Sequence, residues 1–185
     1  MTHETHETHV DRRTHREPSS AAQKRATEIT SLDDLARLSS RDLGEIYDAG
    51  TVPSLDALDG DLKGRMLAVR WIENALGAFA RSARFPWGGK SFKALDARRG
   101  TGINRVHLAG RHRLFPFETF VGASVLDGRP CVVLDYHLRD NPRAIRAIHD
   151  EVREVAPKIF LGPACAKRAG KKPLVVLWFA LDANV

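Results

Sequence analysis

The sequence predicts a mainly β (α+β) protein, in which short helices precede an antiparallel β-barrel. Short apolar runs follow one another from residue 85 onward, separated by turn signals such as Asp127-Gly128 and Ala169-Gly170. No helical pattern alternates with these runs, which argues against a parallel α/β fold. Hydrophobic residues make up 43% of the 185 residues, which is enough to fill one core. We therefore expect six or seven strands that close, or nearly close, into a barrel.

Residues 1–26 should be a disordered polar tail, because they are rich in charged and polar residues. The tail contains four histidines that could bind Zn or Ni weakly. Nothing near them would fix a ligand geometry, so no metal site is predicted. The four histidines are His3, His6, His9 and His15.

Two short helices are predicted in the next segment, residues 27–60. Ser31 is a favourable N-cap for the sequence LDDLARL, because acidic residues follow in the first turn and leucines recur on one face. A second helix should begin at Ser40 and end at Gly50, which stands where a glycine C-cap is expected.

Residues 61–185 should form the barrel. A strand is expected near residues 64–70 and a helix near 73–83, although the apolar spacing of this region also fits helix throughout. Gly88-Gly89 should form a tight turn that presents Trp87 beside a strand start. Further strands are expected at residues 90–95, 103–108, 115–126, 131–138, 149–160 and 174–181.

Several common catalytic motifs are absent from the sequence. FPWGGKSF lacks the glycine that a phosphate-binding loop needs six residues before Lys90. No GxSxG, HExxH or paired-cysteine spacing occurs. Cys131 lies in the apolar run CVVLDY, which is a poor environment for a nucleophile. We therefore predict no cofactor and no metal.

The cysteines and the hydropathy pattern favour a cytoplasmic protein. Cys131 and Cys165 form no CxxC and should pack as small reduced hydrophobes, although a disulfide between them remains open. No apolar run is long enough to be a membrane helix, and no secretory leader is evident. No integral membrane contact is therefore expected.

The formal net charge of +6 is concentrated in one segment. Nine Lys or Arg residues lie between Arg81 and Arg113, against a single acid, Asp96. Such a segment attracts anions, and a solvated basic face is the simpler interpretation. The sequence contains no helix-turn-helix, zinc-finger or RRM signature, so nucleic-acid binding is not predicted.

The charged run HDEVRE is the most informative candidate site. In a strand, His149, Glu151 and Arg153 share one face, opposite Asp150 and Val152. Neither face is apolar. The His-Glu-Arg row could point into a pocket, where Glu and His could move protons and Arg could hold an anion. Alternatively, the strand could be a charged edge that prevents aggregation.

Other polar and aromatic residues could complete such a pocket. In CVVLDYHL, Asp135 and His137 share one face, while Tyr136 alternates with leucines on the other. A barrel of about eight strands has room for one ligand, and such pockets are mostly apolar with a few convergent polar groups. The expected ligand-binding residues are Trp87, Lys90, Asn104, Arg105, Asp135, Tyr136, His137 and Arg153.

The order of short motifs resembles a group of uncharacterised bacterial proteins that have a lipocalin-like (calycin-type) barrel. The motifs are LKGR, WGGK, NR, LDGRP, LDY, DEVREV and FLG, and the resemblance covers roughly residues 43–182. Lys158 stands where glycine is expected before IFLG, so the bend after Pro157 should differ. The resemblance implies a barrel and no particular activity.

Three functions remain open at this stage. The first is binding of a small hydrophobic molecule with an anionic or polar head inside the barrel. The second is a cofactor-free isomerase, cyclase or lyase in which His149 and Glu151 form the acid–base pair. The third is a partner-binding domain that uses the basic segment 81–113. The oligomeric state is left open.

Overall fold

The computed structural model describes residues 27–69, 87–107 and 110–184. Within these ranges, eight antiparallel strands form a closed barrel in which each strand pairs with the next and β8 pairs with β1. The predicted mainly β architecture is confirmed. The strands are β1 Gly60–Val69, β2 Trp87–Ala94, β3 Arg99–Val106, β4 His112–Ala123, β5 Pro130–Asp135, β6 Ile148–Ala156, β7 Ile159–Ala166 and β8 Leu174–Asp182.

The barrel has more strands than the sequence predicted, because the segment 149–160 contains parts of two strands. β6 and β7 are joined by a tight turn at Pro157 and Lys158. Lys158 has a φ of 59°, and its backbone N–H donates to Glu154 Oε1 over 2.8 Å. Glycine adopts positive φ without steric cost. The glycine expected at this position would therefore make the same turn more easily than lysine does.

Other predicted elements have mixed outcomes. The hairpin at Asp127-Gly128 is confirmed, with Gly128 at a φ of 75° between β4 and β5. Gly88-Gly89 is not a turn: both residues lie inside β2, where the pairing with β3 shifts register. The polar tail 1–26 and the predicted helix 73–83 lie outside the described residues.

Two N-terminal helices pack on the outer wall of the barrel, α1 (Leu32–Ala36) and α2 (Ser40–Ala49). Ser31 and Ser39 cap them through side-chain oxygens that accept backbone N–H groups. A third short helix, α3 (Arg143–Arg146), lies in the connection between β5 and β6. α1 and α2 bury their apolar faces against the outer sides of β7 and β8, including Trp178.

Gly50 follows α2 at the predicted cap position, for a reason other than the one predicted. Its φ of −67° is ordinary, so a left-handed cap is not formed. A Cβ at Gly50 would lie 2.9 Å from the Cβ of Arg153. The glycine is therefore needed because α2 approaches strand β6 closely.

The barrel interior contains an apolar cluster to which strands around the whole circumference contribute. We call the end where β1 begins the lower end and the end where β2 begins the upper end. Leu55 and Leu58 pack into the lower end, in and beside a short 3-10 helix (Asp56–Leu58). At the upper end, several apolar side chains that pack on this cluster stay partly exposed: Trp87, Phe115, Ile148, Ala166 and Leu174.

Candidate functional site

Four polar side chains meet inside the barrel near its upper end. Lys90 lies on β2, Asn104 on β3 and Asp150 on β6, while Tyr136 follows β5 directly. Lys90 Nζ donates to Asp150 Oδ2 over 2.9 Å and to the Tyr136 hydroxyl oxygen over 2.6 Å. It also donates to Asn104 Oδ1 over 2.9 Å. We call these four residues the inner network.

A bulge in β2 brings the indole of Trp87 to the inner network. The register between β2 and β3 shifts between Trp87 and Gly89, so Trp87 and Lys90 both point inward although they are three residues apart. Gly89 makes this possible: its φ is 116°, and a Cβ there would lie 2.1 Å from the Leu62 carbonyl oxygen. Trp87 Nε1 donates to Asn104 Oδ1 over 3.1 Å.

A second bulge, in β4, supplies a backbone acceptor. The register between β3 and β4 shifts at Asn104, and Phe115 is the extra residue, with a φ of 59°. Its carbonyl oxygen accepts a hydrogen bond from Asn104 Nδ2 over 3.2 Å. A bulky residue at positive φ costs about 1–3 kcal/mol, and such strain persists only where the surrounding structure enforces it.

The inner network is almost completely removed from solvent. Lys90 is 3% exposed and Asp150 is 4% exposed. Burial lowers the pKa of Lys90, while the Asp150 carboxylate opposes that shift by favouring the ammonium form. The rings around Lys90 Nζ also favour a cation, at centroid distances of 4.9–5.4 Å. These rings belong to Trp87, Phe117, Tyr136 and Phe179.

Tyr136 acts as a neutral donor in this arrangement. Burial raises its pKa well above the usual value, and the charge of Asp150 raises it further. Its hydroxyl donates to Asp150 Oδ2 over 2.9 Å and accepts from Asn104 Nδ2 over 3.2 Å. Asn141 holds the chain after β5, since its Nδ2 donates to the Tyr136 carbonyl oxygen over 2.9 Å.

One polar atom of the inner network has no hydrogen-bond partner in the part of the chain that the structure describes. Asp150 Oδ1 is buried and has no hydrogen-bond partner among the described residues. Buried polar atoms are nearly always hydrogen-bonded, and an unpaired one needs an explanation. The network can therefore accept one further hydrogen bond inside the barrel.

The predicted His-Glu-Arg row lies on the outer wall of the barrel and does not line its interior. Val152 belongs to the inner apolar cluster, so strand alternation places Glu151 and Arg153 on the opposite side. The inward face of β6 therefore carries Asp150, which the sequence-based set of site residues omitted. Alternation within β6 does not indicate this, but the strand register does, because Leu134 pairs with Asp150 and shares the apolar face of Tyr136.

Glu151 connects the outer wall to the segments that cover it. Its carboxylate is fully buried and accepts from the Tyr47 hydroxyl over 2.7 Å and from the Val125 backbone N–H over 2.6 Å. His149 Nε2 lies 2.9 Å from Glu151 Oε1. Burial alone would raise the pKa of Glu151, but the hydrogen bonds that it accepts, led by the one from His149, outweigh burial and lower it.

Arg153 fastens the β4–β5 hairpin to the barrel. Its guanidinium makes two contacts of 2.8 Å with the Asp127 carboxylate and stacks on the Tyr47 ring at 4.4 Å. It also donates to the carbonyl oxygens of Pro130, Tyr47 and Arg129. Arg153 is 1% exposed, so these contacts occupy it fully.

The remaining predicted ligand-binding residues also lie on the outside. Arg105 donates to the carbonyl oxygens of Leu62 and Gly88 and lies 3.6 Å from Asp61. Asp135 contacts Lys167 at 3.3 Å, and His137 is exposed. The predicted residues that the structure brings together inside the barrel are Trp87, Lys90, Asn104 and Tyr136.

The two thiols are poor candidates for chemistry. Cys131 and Cys165 are free and buried. Burial, together with the nearby charge of Glu151, raises the pKa of each to about 12. Neither is a thiolate near neutral pH. Among the described residues, no cluster of His, Cys, Asp and Glu has the arrangement of a metal site.

The basic segment does not form one surface in the part of the chain that the structure describes. Lys90 is inside the barrel, Arg98 lies in a connection at the lower end, and Arg111 lies at the upper end. Within the described ranges, no helix is long and apolar enough to cross a membrane.

Comparisons with known proteins support the fold alone. No protein family matches the chain, and neither does any curated protein. A crystal structure of a protein from Thermomonospora curvata is similar, with a TM-score of 0.51 and 16% sequence identity. The alignment covers 89% of this chain and 99% of that one. The eight-stranded barrel thus has a structural counterpart at low sequence identity.

Proposed function

We propose that this protein binds a small hydrophobic molecule with a polar head, held inside the upper end of the barrel. The observation that carries the proposal is the unpaired Oδ1 of Asp150, buried at the end of an otherwise satisfied polar network. Partly exposed apolar side chains at the upper end, among them Phe115 and Leu174, would contact the body of the ligand. This combination of apolar lining and one polar anchor is typical of small-molecule sites.

We further propose that the barrel is of the lipocalin-like (calycin) type and works in the cytoplasm. Support for the first comes from the up-and-down order of the strands and the closure of β1 on β8. Support for the second comes from Cys131 and Cys165, which are both free.

The alternative functions have weaker support. A cofactor-free isomerase, cyclase or lyase was expected to use His149 and Glu151, but both lie on the outer wall, where Tyr47 and Val125 occupy the Glu151 carboxylate. A partner domain that uses residues 81–113 would need one basic surface, and the described cations of this segment are spread over the barrel.

Native mass spectrometry before and after organic extraction tests the proposed function. We expect an adduct that extraction removes and that added n-decanol replaces. Ala166→Trp should reduce uptake, because the indole would fill the upper end, where Ala166 is partly exposed. Ala183→Trp, at the lower end, is the matched control and should retain uptake. A protein without an adduct that also fails to take up n-decanol would refute the proposal.

A further inference from the structure

The hydrogen-bond inventory of the inner network determines which kind of polar head fits. Lys90 has three N–H donors, and all three are used, on Asp150, Tyr136 and Asn104. The two N–H donors of the Asn104 amide reach the Phe115 carbonyl and the Tyr136 hydroxyl. No donor in the inner network remains for a carboxylate or phosphate.

The acceptor side is different. Tyr136 Oη accepts from Lys90 and Asn104 and donates its own proton to Asp150 Oδ2, so it is fully used. Asn104 Oδ1 accepts from Trp87 and Lys90. Asp150 Oδ1 is the acceptor of the inner network that has no partner among the described residues, and it carries part of a negative charge.

From this inventory we propose that the ligand head is a neutral hydrogen-bond donor, a hydroxyl or amide N–H, that binds Asp150 Oδ1. This inference rests on the proposed function and selects one of the two head types, anionic or polar, that the sequence left open. An anion would face the Asp150 carboxylate without a free donor. A cation would lie close to Lys90, whose charge Asp150 already balances.

Isothermal titration calorimetry with three matched probes tests the assignment: n-decanol, its methyl ether and decanoate. The three share one hydrocarbon chain, and only the alcohol can donate a neutral hydrogen bond. We expect n-decanol to bind at least roughly tenfold more tightly than the ether, because the ether leaves Asp150 Oδ1 unpaired. Decanoate should bind more weakly than either.

Asp150→Asn removes the expected preference. The Asn oxygen can still accept from Lys90 and Tyr136, and its NH₂ group then stands where Oδ1 was. The oxygens of the alcohol and of the ether can both accept from that NH₂ group, so the variant should lose the preference for the alcohol. If it does not fold, as judged by circular dichroism, the comparison of the three probes on the natural protein decides alone.

The outcomes separate the two proposals. Equal affinity for the alcohol and the ether would overturn the donor assignment and leave the proposed function standing, since a water would then satisfy Asp150 Oδ1. Binding of decanoate more tightly than n-decanol would also overturn it. No binding of any probe would refute the proposed function itself.

The two ends of the barrel differ in charge. The described parts of the upper connections (residues 107–111, 136–147 and 167–173) contain one acidic residue, Asp140, and eight basic residues. The lower connections (residues 50–59, 95–98, 124–129 and 157–158) contain four acidic and three basic residues. The upper cations are Arg111, Arg139, Arg143, Arg146, Lys167, Arg168, Lys171 and Lys172.

We infer that the upper end docks on an anionic lipid surface. Charge complementarity carries this inference, since each Lys or Arg near an anionic bilayer contributes about 1 kcal/mol. The partly exposed apolar residues Trp87, Ile148 and Leu174 lie at the same end, so docking would bring them next to the lipid. A neutral apolar ligand dissolved in the bilayer would then need no aqueous step to enter the barrel.

Co-sedimentation with vesicles tests this second inference, using phosphatidylcholine alone and phosphatidylcholine with one quarter phosphatidylglycerol. We expect binding to the mixed vesicles only, with a roughly tenfold or greater loss in Lys171→Glu/Lys172→Glu. Arg98→Glu/Lys158→Glu makes the same charge change at the lower end and should bind as the natural protein does. Equal loss in both variants, no binding to mixed vesicles, or tighter binding to RNA than to vesicles would overturn the inference.

Discussion

The buried pair of Lys90 and Asp150 provides the most direct test of the inner network. Lys90→Met keeps an unbranched apolar side chain close to the length of the lysine stem but removes the ammonium and its three hydrogen bonds. Asp150, 4% exposed, would then be a buried carboxylate without a cationic partner. Breaking a buried pair in this way costs about 3–5 kcal/mol, a large part of the roughly 5–15 kcal/mol that stabilises a domain.

The double variant Lys90→Met/Asp150→Leu should recover much of that loss. It removes the unpaired charge together with its partner, and the remaining cost is about 1–2 kcal/mol, because the Tyr136 and Asn104 groups lose partners. The coupling between the two sites should therefore be about 2 kcal/mol or more. Equilibrium urea unfolding followed by circular dichroism measures each free energy, provided that the urea dependence stays constant.

Lys93 is a matched control on the same strand. Its side chain is 73% exposed and lies 3.4 Å from Asp59 at the surface. Lys93→Met should change the free energy of unfolding by no more than about 0.5 kcal/mol. If Lys90→Met costs no more than Lys93→Met, or if the double variant is as unstable as the single one, the reasoning about the inner network is refuted.

The remaining predictions concern an outer-wall arginine, the tyrosines and two glycines. Arg153→Lys should lower the free energy of urea unfolding by about 2 kcal/mol, because an ammonium cannot make the bidentate contact; an unchanged midpoint would contradict this. Burial raises the pKa of Tyr47 and Tyr136, so their contribution to stability is present below the ordinary value of 10.0 and is lost as pH rises above it. Tyrosinate absorbance should then appear only as the circular-dichroism signal disappears, and ionisation in the folded protein would refute this. Gly89→Ala should cost far more than Gly128→Ala, which has open space and should cost about 1–2 kcal/mol; similar thermal midpoints would count against the β2 bulge.

Much of the secondary structure could be predicted from local patterns. The Ser31 cap, the alternation in CVVLDY and the turn at Asp127-Gly128 each depend on a few neighbouring residues, and all three appear in the structure. The division of residues 149–160 into two strands was missed, because the turn is made at Lys158, a residue that seldom adopts positive φ.

The candidate site was predictable in part, and the missing part has a clear cause. Alternation correctly grouped His149, Glu151 and Arg153 on one face of β6, opposite Asp150. It could not decide which face is inside, because both faces carry charged groups. The pairing of Asp150 with Leu134 of β5 decides it, and that pairing is a property of the closed sheet.

The sequence by itself determined the strand-rich architecture, the helix starts and the types of residue available for a polar anchor. Only the tertiary structure decided that Lys90, Asn104, Tyr136 and Asp150 meet. Lys90 is separated from its partners by 14, 46 and 60 positions along the chain. Contacts at such separations follow from strand register, two bulges and closure of the barrel, and local sequence preferences do not contain them.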